Sequence, residues 1–443
     1  MKLSKIIPFL IIPVLLMSVS CKKSFFTDVN KNPNALDSVK PNLLLPTVEA
    51  ATAYTINGDI SRYTSLIMQQ VIGNASQSEQ YYQYNFNAGV FENVWSDIYT
   101  SALENNYVLI QSSDAGGYNA YAGIARILMA YTLQVTVDLW GDIPYSEAFQ
   151  GNAETQNIHP KFDDDAALYD TIGKLVDDGI AKLGLDPGLI SPGADDVMYG
   201  GDAAKWIKFG HAIKARLAIH QSKDDAAMAS TALTEIGQSF ESNADNAVYI
   251  FGNEETSANS WYQFYRDRPG DIKFETGTLA AQLKTAGDPR YDKYDLDADT
   301  ASYFNKINSP AEFITYDELQ FMKAEALLRS GGSGAQIAYV AAITADFDKL
   351  GISGSALTTY LAANGTLPSG DAGIAKVADE EYKALFLNPE AFTLYRRTGQ
   401  PNITAIGSGG VPRRLLYPQS ELSFNAENVP QSTLYTPKIF WDK

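Results

Sequence analysis

The sequence predicts a mainly α-helical fold: helical pairs wrapped by long irregular loops, with little β structure. Two observations carry this. Apolar residues recur at three- and four-residue spacing in a series of long segments, and the stretches between them are dense in Gly, Pro and Asn. The 443 residues would fill two or three average domains, although helical repeats of this length often form one continuous body. A net charge of −18 argues against nucleic acid and anionic lipid as ligands, because their phosphates would be repelled.

Residues 1–20 read as a signal peptide. Lys2 and Lys5 form a basic start, and the apolar run Ile6 to Val19, broken by Pro8 and Pro13, is too short to span a bilayer comfortably. Cys21 is the chain's one cysteine, so no disulfide is available, and it follows Ser18-Val19-Ser20. It resembles a bacterial lipobox cysteine, with Ser18 in place of the usual Leu. The expected mature chain begins at a lipidated Cys21 and is tethered without a transmembrane helix, residues 21–41 forming the lipidated start and tether. The other reading is a soluble secreted chain with a free thiol.

Helical spacing begins at Leu43 to Ile72 and resumes at Val90 to Ser112, separated by the polar, tyrosine-rich Asn74 to Gly89, read as a loop. The organising stretch is Ala120 to Phe149. It is apolar nearly all round, so its helix should be buried, with Gly141 and Pro144 ending it. Asp138 in its last turn opposes the helix dipole and needs a partner; a carboxylate held by backbone or Arg is the structural reading, and a catalytic acid the other.

Further helices are expected at Asp164 to Leu183 and Ala203 to Gln221. The second carries Trp206, Phe209, Gly210 and Ile213 in a pattern that echoes tetratricopeptide spacing. A second unit pairs a helix that opens on a Thr315/Glu318 capping box and runs to Arg329 with Ala335 to Leu350, whose Ile337, Val340, Ala341, Thr344 and Phe347 share one face. Tyr249 to Ile272, Asp288 to Thr315 and the tail from Gln400 to Lys443 read as loop-rich.

Several chemistries lack their motifs. His159, His211 and His220 are scattered without an HExxH, and neither a GxSxG elbow nor a Walker loop occurs. Asp295, Asp297 and Asp299 alternate as in a calcium loop, but Thr300 and Lys306 replace its glycine and closing glutamate, so a solvated acidic turn is expected and no metal. No carboxylate pair is singled out for glycoside hydrolysis, and no catalytic residue or cofactor is expected.

Aromatic residues in polar loops stand out. Tyr81, Tyr82, Tyr84 and Phe86 occupy the first insert; Trp261, Tyr262, Phe264 and Tyr265 occupy a second, beside Asn259, Arg266, Asp267 and Arg268. Such rings can stack on the apolar face of a sugar while neighbouring amides and charges bond its hydroxyls. The expected site has Trp261 as principal platform, Tyr81, Tyr82 and Tyr262 extending it, and Asn259, Asp267 and Arg268 as polar partners. The alternative is that the rings fold back to anchor their own loops.

Six segments in order, VTVDLWGDIPYSEAF from Val135, WIKFGHAIKARLAI from Trp206, GDPRYDKY from Gly287, ITYDELQFMKAEALLRSG from Ile314, YKALFLNPEAFTLYRRTGQP from Tyr382 and VPRRLLYPQSELSFNAENV from Val411, resemble the SusD/RagB family of outer-membrane nutrient-binding lipoproteins, in its SusD-like branch. The resemblance implies residues 42–443 as one helical domain with loop insertions, a glycan ligand, and a SusC-like TonB-dependent transporter for which the lipoprotein is a substrate-capturing lid. It implies a lipid-anchored, outward-facing protein and not an enzyme, although Lys22, Lys23 and Ser24 lack the acidic cluster often associated with surface export. Some relatives take peptides, and a glycoside hydrolase or a protein-binding adaptor on the same scaffold are the competing readings. The resemblance also makes Arg396-Arg397 and Arg413-Arg414 internal pinning residues and offers Asp138 an Arg partner.

Overall fold

The computed structural model describes residues 39–151, 156–274, 277–297, 302–407 and 409–443. Cys21, the leader, most of the expected tether, Asp299 and Thr300 lie outside the described residues. Helix α1 (Pro41–Thr55) passes through a π-helical turn (Ile56–Ile60) into α2 (Ser61–Ile67), followed by β1 (Ile72–Gly73) and α3 (Ser76–Tyr82). Helix α4 (Glu92–Ser96), a second π-helical stretch (Asp97–Leu103) and α5 (Glu104–Gly116) are continuous in sequence, and α6 (Asn119–Trp140) follows. Next come α7 (Asp165–Leu183), α8 (Ala203–Gln221), α9 (Ala226–Ile236), β2 (Ala247–Ile250), α10 (Ser260–Asp267) and β3 (Ile272–Lys273). The chain continues through α11 (Thr278–Ala286), α12 (Tyr291–Tyr294), β4 (Pro310–Ile314), α13 (Tyr316–Ser330) and α14 (Ala335–Lys349). It ends with α15 (Ser355–Asn364), α16 (Gly370–Ala384), α17 (Glu390–Thr398) and the short α18 (Gln419–Phe424).

The fold is mainly helical, as the spacing predicts, and its β structure is slight: two antiparallel two-stranded sheets, β1 with β3 and β2 with β4. Helices α6 and α7, α8 and α9, and α13 and α14 pack as pairs. Small residues set how closely the first of these approach. A Cβ on Gly123 of α6 would lie 2.8 Å from the carbonyl oxygen of Gly179 in α7, nearer than side chains tolerate. Gly210 of α8 lies against Val176 and Ile180 of α7, each 3.1 Å from where its Cβ would be, the crossing role its place in the repeat pattern predicts.

Helix α6 is long and apolar enough to cross a membrane, but it is the buried centre of this domain, with Ile124, Leu128, Tyr131, Val137 and Trp140 all within the core. A helix C-terminus leaves carbonyls without partners, and burial makes that costly. Here distant chain supplies the donors. The Arg396 guanidinium donates to the Asp138 carbonyl, the Leu415 amide to Leu139 at 2.8 Å, and Arg414 to Trp140, while the Trp140 indole donates to the Leu416 carbonyl at 2.8 Å. Gly141, at φ 77°, takes the positive-φ position that ends the helix. The paired arginines are therefore internal pinning residues: Arg397 pairs with Glu325, and Arg413 with Asp442 near the C-terminus.

Several expectations need correction. The supposed loops hold regular elements: α3 lies within Asn74 to Gly89, the end of β2 and all of α10 within Tyr249 to Ile272, α12 and β4 within Asp288 to Thr315, and α18 within the tail. The Thr315/Glu318 capping box does not form. Thr315 makes no side-chain cap, because Glu318 is drawn into the core by Arg216, whose Nε donates to it at 2.8 Å. Helix α14 is also rotated from its expected face: Ile337 is 76% exposed, while Ala338, Tyr339, Ala342, Ile343 and Phe347 are buried.

Candidate functional site

A cleft of about 650 Å³ opens where three segments meet. From α1 through the π-helical turn into α2, Ala51, Tyr54, Thr55, Gly58, Asp59 and Arg62 line it at the alternating three- and one-residue steps of one helical stripe. Asn93, Val94, Ser96, Asp97 and Ser101 come from α4 and the second π-helical stretch, and Ser260, Gln263, Phe264 and Asp267 from one face of α10, with Arg268 following. Both π-helical stretches thus lie at this cleft. An inserted residue in a helix redirects the side chains around it, which is why such insertions recur at functional sites. The break in the first falls at Gly58, whose φ of −90° and ψ of −117° leave the helical range.

The charges here are only partly neutralised. Arg62 pairs with Asp59, whose other oxygen accepts from the Tyr63 hydroxyl at 3.1 Å, and the Arg62 guanidinium lies 4.3 Å from the centre of the Phe264 ring. Asp267 accepts from Arg266 Nε at 2.9 Å. Partial burial, and then the negative charge of Asp59, push the Asp97 carboxyl above its ordinary range. Amide, hydroxyl and charged groups beside Tyr54 and Phe264 make a wall that can hydrogen-bond hydroxyls and offer ring surface to a C–H face.

The expected site residues are divided by the fold. The two aromatic stretches do come together, because β1 pairs with β3, the Asn74 amide donates to the Asp271 carbonyl at 2.8 Å, and Ser76 Oγ donates to Asp271 at 3.2 Å. Asp267 and Arg268 line the cleft; Trp261, Tyr81, Tyr82, Tyr262 and Asn259 are not among its lining residues. Trp261 is 3% exposed, and its indole donates to Ser61 Oγ at 2.8 Å, so it roots α10 on α2 and offers no open stacking face. Asn259 is buried as the cap of α10: its Oδ1 accepts from the Trp261 and Tyr262 amides at 2.8 and 3.1 Å, and its Nδ2 donates to the Ser309 carbonyl. Tyr81 is buried, stacked on Phe86 with ring centres 5.1 Å apart. Tyr82 and Tyr262 are half-buried, the latter with the Arg266 guanidinium 5.7 Å from its ring centre.

Phe264, Tyr54, Asp59, Arg62 and Asp97 are the cleft residues that sequence reasoning did not select. A signal for α10 was present: Asn259 as a cap, then Ser260, Gln263, Phe264 and Asp267 at helical spacing place one polar, single-ring face opposite Trp261.

Asp138 proves to be a structural carboxylate whose side chain is held mainly by groups other than Arg. Tyr169 and the Trp441 indole donate to its Oδ1, Gln134 donates to Oδ2 at 2.7 Å, and His220 Nδ1 lies 3.6 Å from Oδ2. His220 Nε2 lies 2.8 Å from Glu390. Arg396 reaches the Asp138 backbone carbonyl instead. Burial alone would favour a neutral imidazole, but Glu390 and Asp138 hold His220 above its usual value; His220 in turn helps hold Asp138 below its own. The Tyr169 hydroxyl lies 2.8 Å from His220 Nδ1 and Glu390 the same distance from Nε2, so both ring nitrogens have hydrogen-bond partners, an arrangement that suits an imidazolium and not one ion ligated by Asp138, His220 and Glu390. The space beside Asp138 and Glu390 is about 10 Å³, too small for a substrate. His211 is a packed residue, 2.7 Å from Glu235. Of the expected acidic turn, Asp297 accepts from the Tyr265 hydroxyl at 2.6 Å and its amide donates to Asp295.

The family model described as SusD-like, "Starch-binding associating with outer membrane", matches residues 33–303 and 296–418. No curated protein matches the chain. Among solved structures, a chitin-binding protein aligns at TM-score 0.77 and 22% identity over 91% of this chain and 100% of its own. A SusD/RagB family protein from Bacteroides thetaiotaomicron aligns at TM-score 0.74 and 24% identity, covering 91% and 99% of the two chains. A SusD homologue from Bacteroides fragilis aligns at TM-score 0.74 and 20% identity, covering 92% and 100%. These structural likenesses speak to the fold.

Proposed function

The chain belongs to the SusD-like family of starch-binding proteins that associate with the outer membrane, and from that premise we propose that its cleft captures glycan at the cell surface and delivers it to a SusC-like TonB-dependent transporter. In this reading Cys21 carries the lipid that holds the protein on the outer membrane, facing outward. The observation that carries the binding role is the cleft itself. Its wall combines ring surface from Phe264 and Tyr54 with Asn93, Gln263, three serines and unevenly neutralised charges, the composition a sugar's hydroxyl rim and C–H face require. The site residues proposed are therefore Phe264, Tyr54, Asp59, Arg62, Asp97, Asp267 and Arg268. Of the earlier selection, Tyr82 and Tyr262 stay outside this set, and Trp261, Tyr81 and Asn259 build its support.

The test is a titration of soluble protein starting at Lys22 against a panel of α- and β-linked oligosaccharides and short peptides, beside Phe264→Ala. The parent is expected to bind a glycan without cleaving it. Phe264→Ala should lose about 2 kcal/mol of affinity, as truncated anchors do, with its melting temperature close to the parent's. Binding of peptides alone, release of reducing ends, or unchanged affinity in the variant would each refute the reading.

A further inference from the structure

Resting on the reading of this cleft as a glycan site, we infer that Arg62 is its positioning residue: held by Asp59, the guanidinium braces one face of the Phe264 ring, so that the other face meets a sugar in a fixed orientation. Phe264 needs such a brace. It has no polar group to anchor it, and it lies on α10, an eight-residue helix in which Trp261 alone is buried. A half-buried ring on such an element turns about two side-chain bonds, and ordering it when ligand arrives costs affinity.

Helix α10 seats on the first π-helical turn and on α2 at three successive points. Gly58 leaves its backbone against Ser260, whose Oγ would lie 3.7 Å from a Cβ at that position; the Trp261 indole donates to Ser61 Oγ at 2.8 Å; and the Arg62 guanidinium carbon lies 4.3 Å from the centre of the Phe264 ring. The first two fix where the helix stands, and the third fixes which way its cleft-facing ring turns. A guanidinium suits this task because it is planar and weakly hydrated, so it can stack on a ring while its edge stays hydrogen-bonded. Here the edge is taken by Asp59, whose second oxygen accepts from the Tyr63 hydroxyl at 3.1 Å. The other rings nearby are set differently. Tyr54 is held edge-on by Phe251 at 4.9 Å, and Tyr262, which has the exposed Arg266 at 5.7 Å, does not line the cleft. With one face on the ring and its edge on Asp59, Arg62 reaches the ligand through Phe264, and Asn93, Ser96 and Gln263 remain for hydroxyls.

The experiment is a double-mutant cycle on the soluble protein from Lys22: Arg62→Met, Phe264→Ala and the two combined, each at a temperature where it is fully folded. The probe is the tightest-bound glycan of the panel above, the α-1,4-linked glucose tetramer and the β-1,4-linked N-acetylglucosamine tetramer being tried first, with affinities read by calorimetry or ligand-observed NMR. Arg62→Met should weaken binding about fivefold, the effect of leaving one side chain to be ordered by the ligand. In the Phe264→Ala background the same change should cost less than about twofold, because the ring it acts through is gone. Arg62→Lys keeps the charge without the planar fork and should lose affinity as Arg62→Met does. A fivefold loss in both backgrounds would mean that Arg62 meets the sugar itself, parental affinity in Arg62→Met that it does not act on the site, and parental affinity in Arg62→Lys that charge alone acts. Each of these overturns the bracing role and leaves the glycan reading standing. Binding of no glycan in the wider panel overturns both.

Discussion

The buried interior and the cleft both gather opposite charges, and they finish them differently. Inside, the Arg290 guanidinium is surrounded. Arg290 donates to Asp288 at 2.6 Å, to Asp346 at 2.9 Å, to Glu380 at 2.6 Å and to the Tyr360 hydroxyl, with all of these groups buried. In the cleft, Asp97 has another anion as its electrostatic neighbour, and Arg268 is exposed. Buried charge must be satisfied within the chain because water cannot do it. Charge on a half-open wall can be left incomplete at little cost, and that incompleteness is what a ligand at the proposed site would use.

The sharpest way to break this contrast is Arg290→Ala. Arg290, followed by Lys383, holds the Glu380 carboxyl down to about 2 even though burial pushes it up. Without the guanidinium, Asp288, Asp346 and Glu380 share a dry site with one another. The expected loss is about 3–5 kcal/mol of folding stability, read from urea unfolding, with ligand affinity of the remaining folded fraction preserved. A variant as stable as the parent would show that the interior cluster is no more demanding than the cleft.

The next test is Asp138→Ala, with an expected cost of about 3 kcal/mol because Tyr169, Trp441 and Gln134 lose their acceptor and the buried His220 loses the negative charge beside it. Its pH dependence has a definite sign. His220 is held above its usual value, so its contribution is complete below the unfolded value of about 6.5 and is lost as pH rises through the folded one. Asp138 is held below its usual value, so its contribution is complete above about 4 and is lost as pH falls through the depressed one. The gap between parent and variant should therefore be widest from about pH 4 to about 6.5, narrowing above as pH rises through the folded value of His220 and below as it falls through that of Asp138. A gap that does not narrow as pH rises above about 6.5 would remove His220 as the partner. Loss of ligand binding with unchanged melting would move Asp138 into the site.

The scaffold was legible in the sequence because periodicity and breakers act locally. Asp165–Leu183 and Ala203–Gln221 match their expected bounds, within a residue in the first case, and Gly141 ends α6 where it should. What was illegible depended on long-range partners. Glu318 looks like a capping residue until Arg216, a hundred residues earlier in sequence, claims it. The same limit affected the site. Polar flanks made Trp261 look exposed, whereas its partner Ser61 lies 200 residues away, and α1 looked like plain scaffold until its stripe met α10 across the cleft. Asp267 and Arg268 were selected for their charge beside aromatic residues, and the cleft does include them; of the rings chosen with them, Trp261 and Tyr81 are buried, while Tyr82 and Tyr262 are half-buried outside the cleft lining.

Trp261 lies on the border between the two regions, which makes its mildest substitution informative. The ring is buried against α2 while the residues on either side of it in sequence, Ser260 and then Gln263 and Phe264, reach the cleft. Trp261→Phe keeps most of the apolar volume and removes the indole donor to Ser61 Oγ; Ser61 still donates to the Leu387 carbonyl, so no buried hydroxyl is stranded. The expected cost is about 1–2 kcal/mol of stability, one hydrogen bond plus a small void. Affinity for a cleft ligand should stay within about twofold, because α10 keeps its Asn259 cap and its cleft-facing residues. A large loss of affinity at unchanged melting temperature would instead mean that the indole meets ligand, and the separation between a finished interior and an unfinished wall would fail at the residue where the two are nearest.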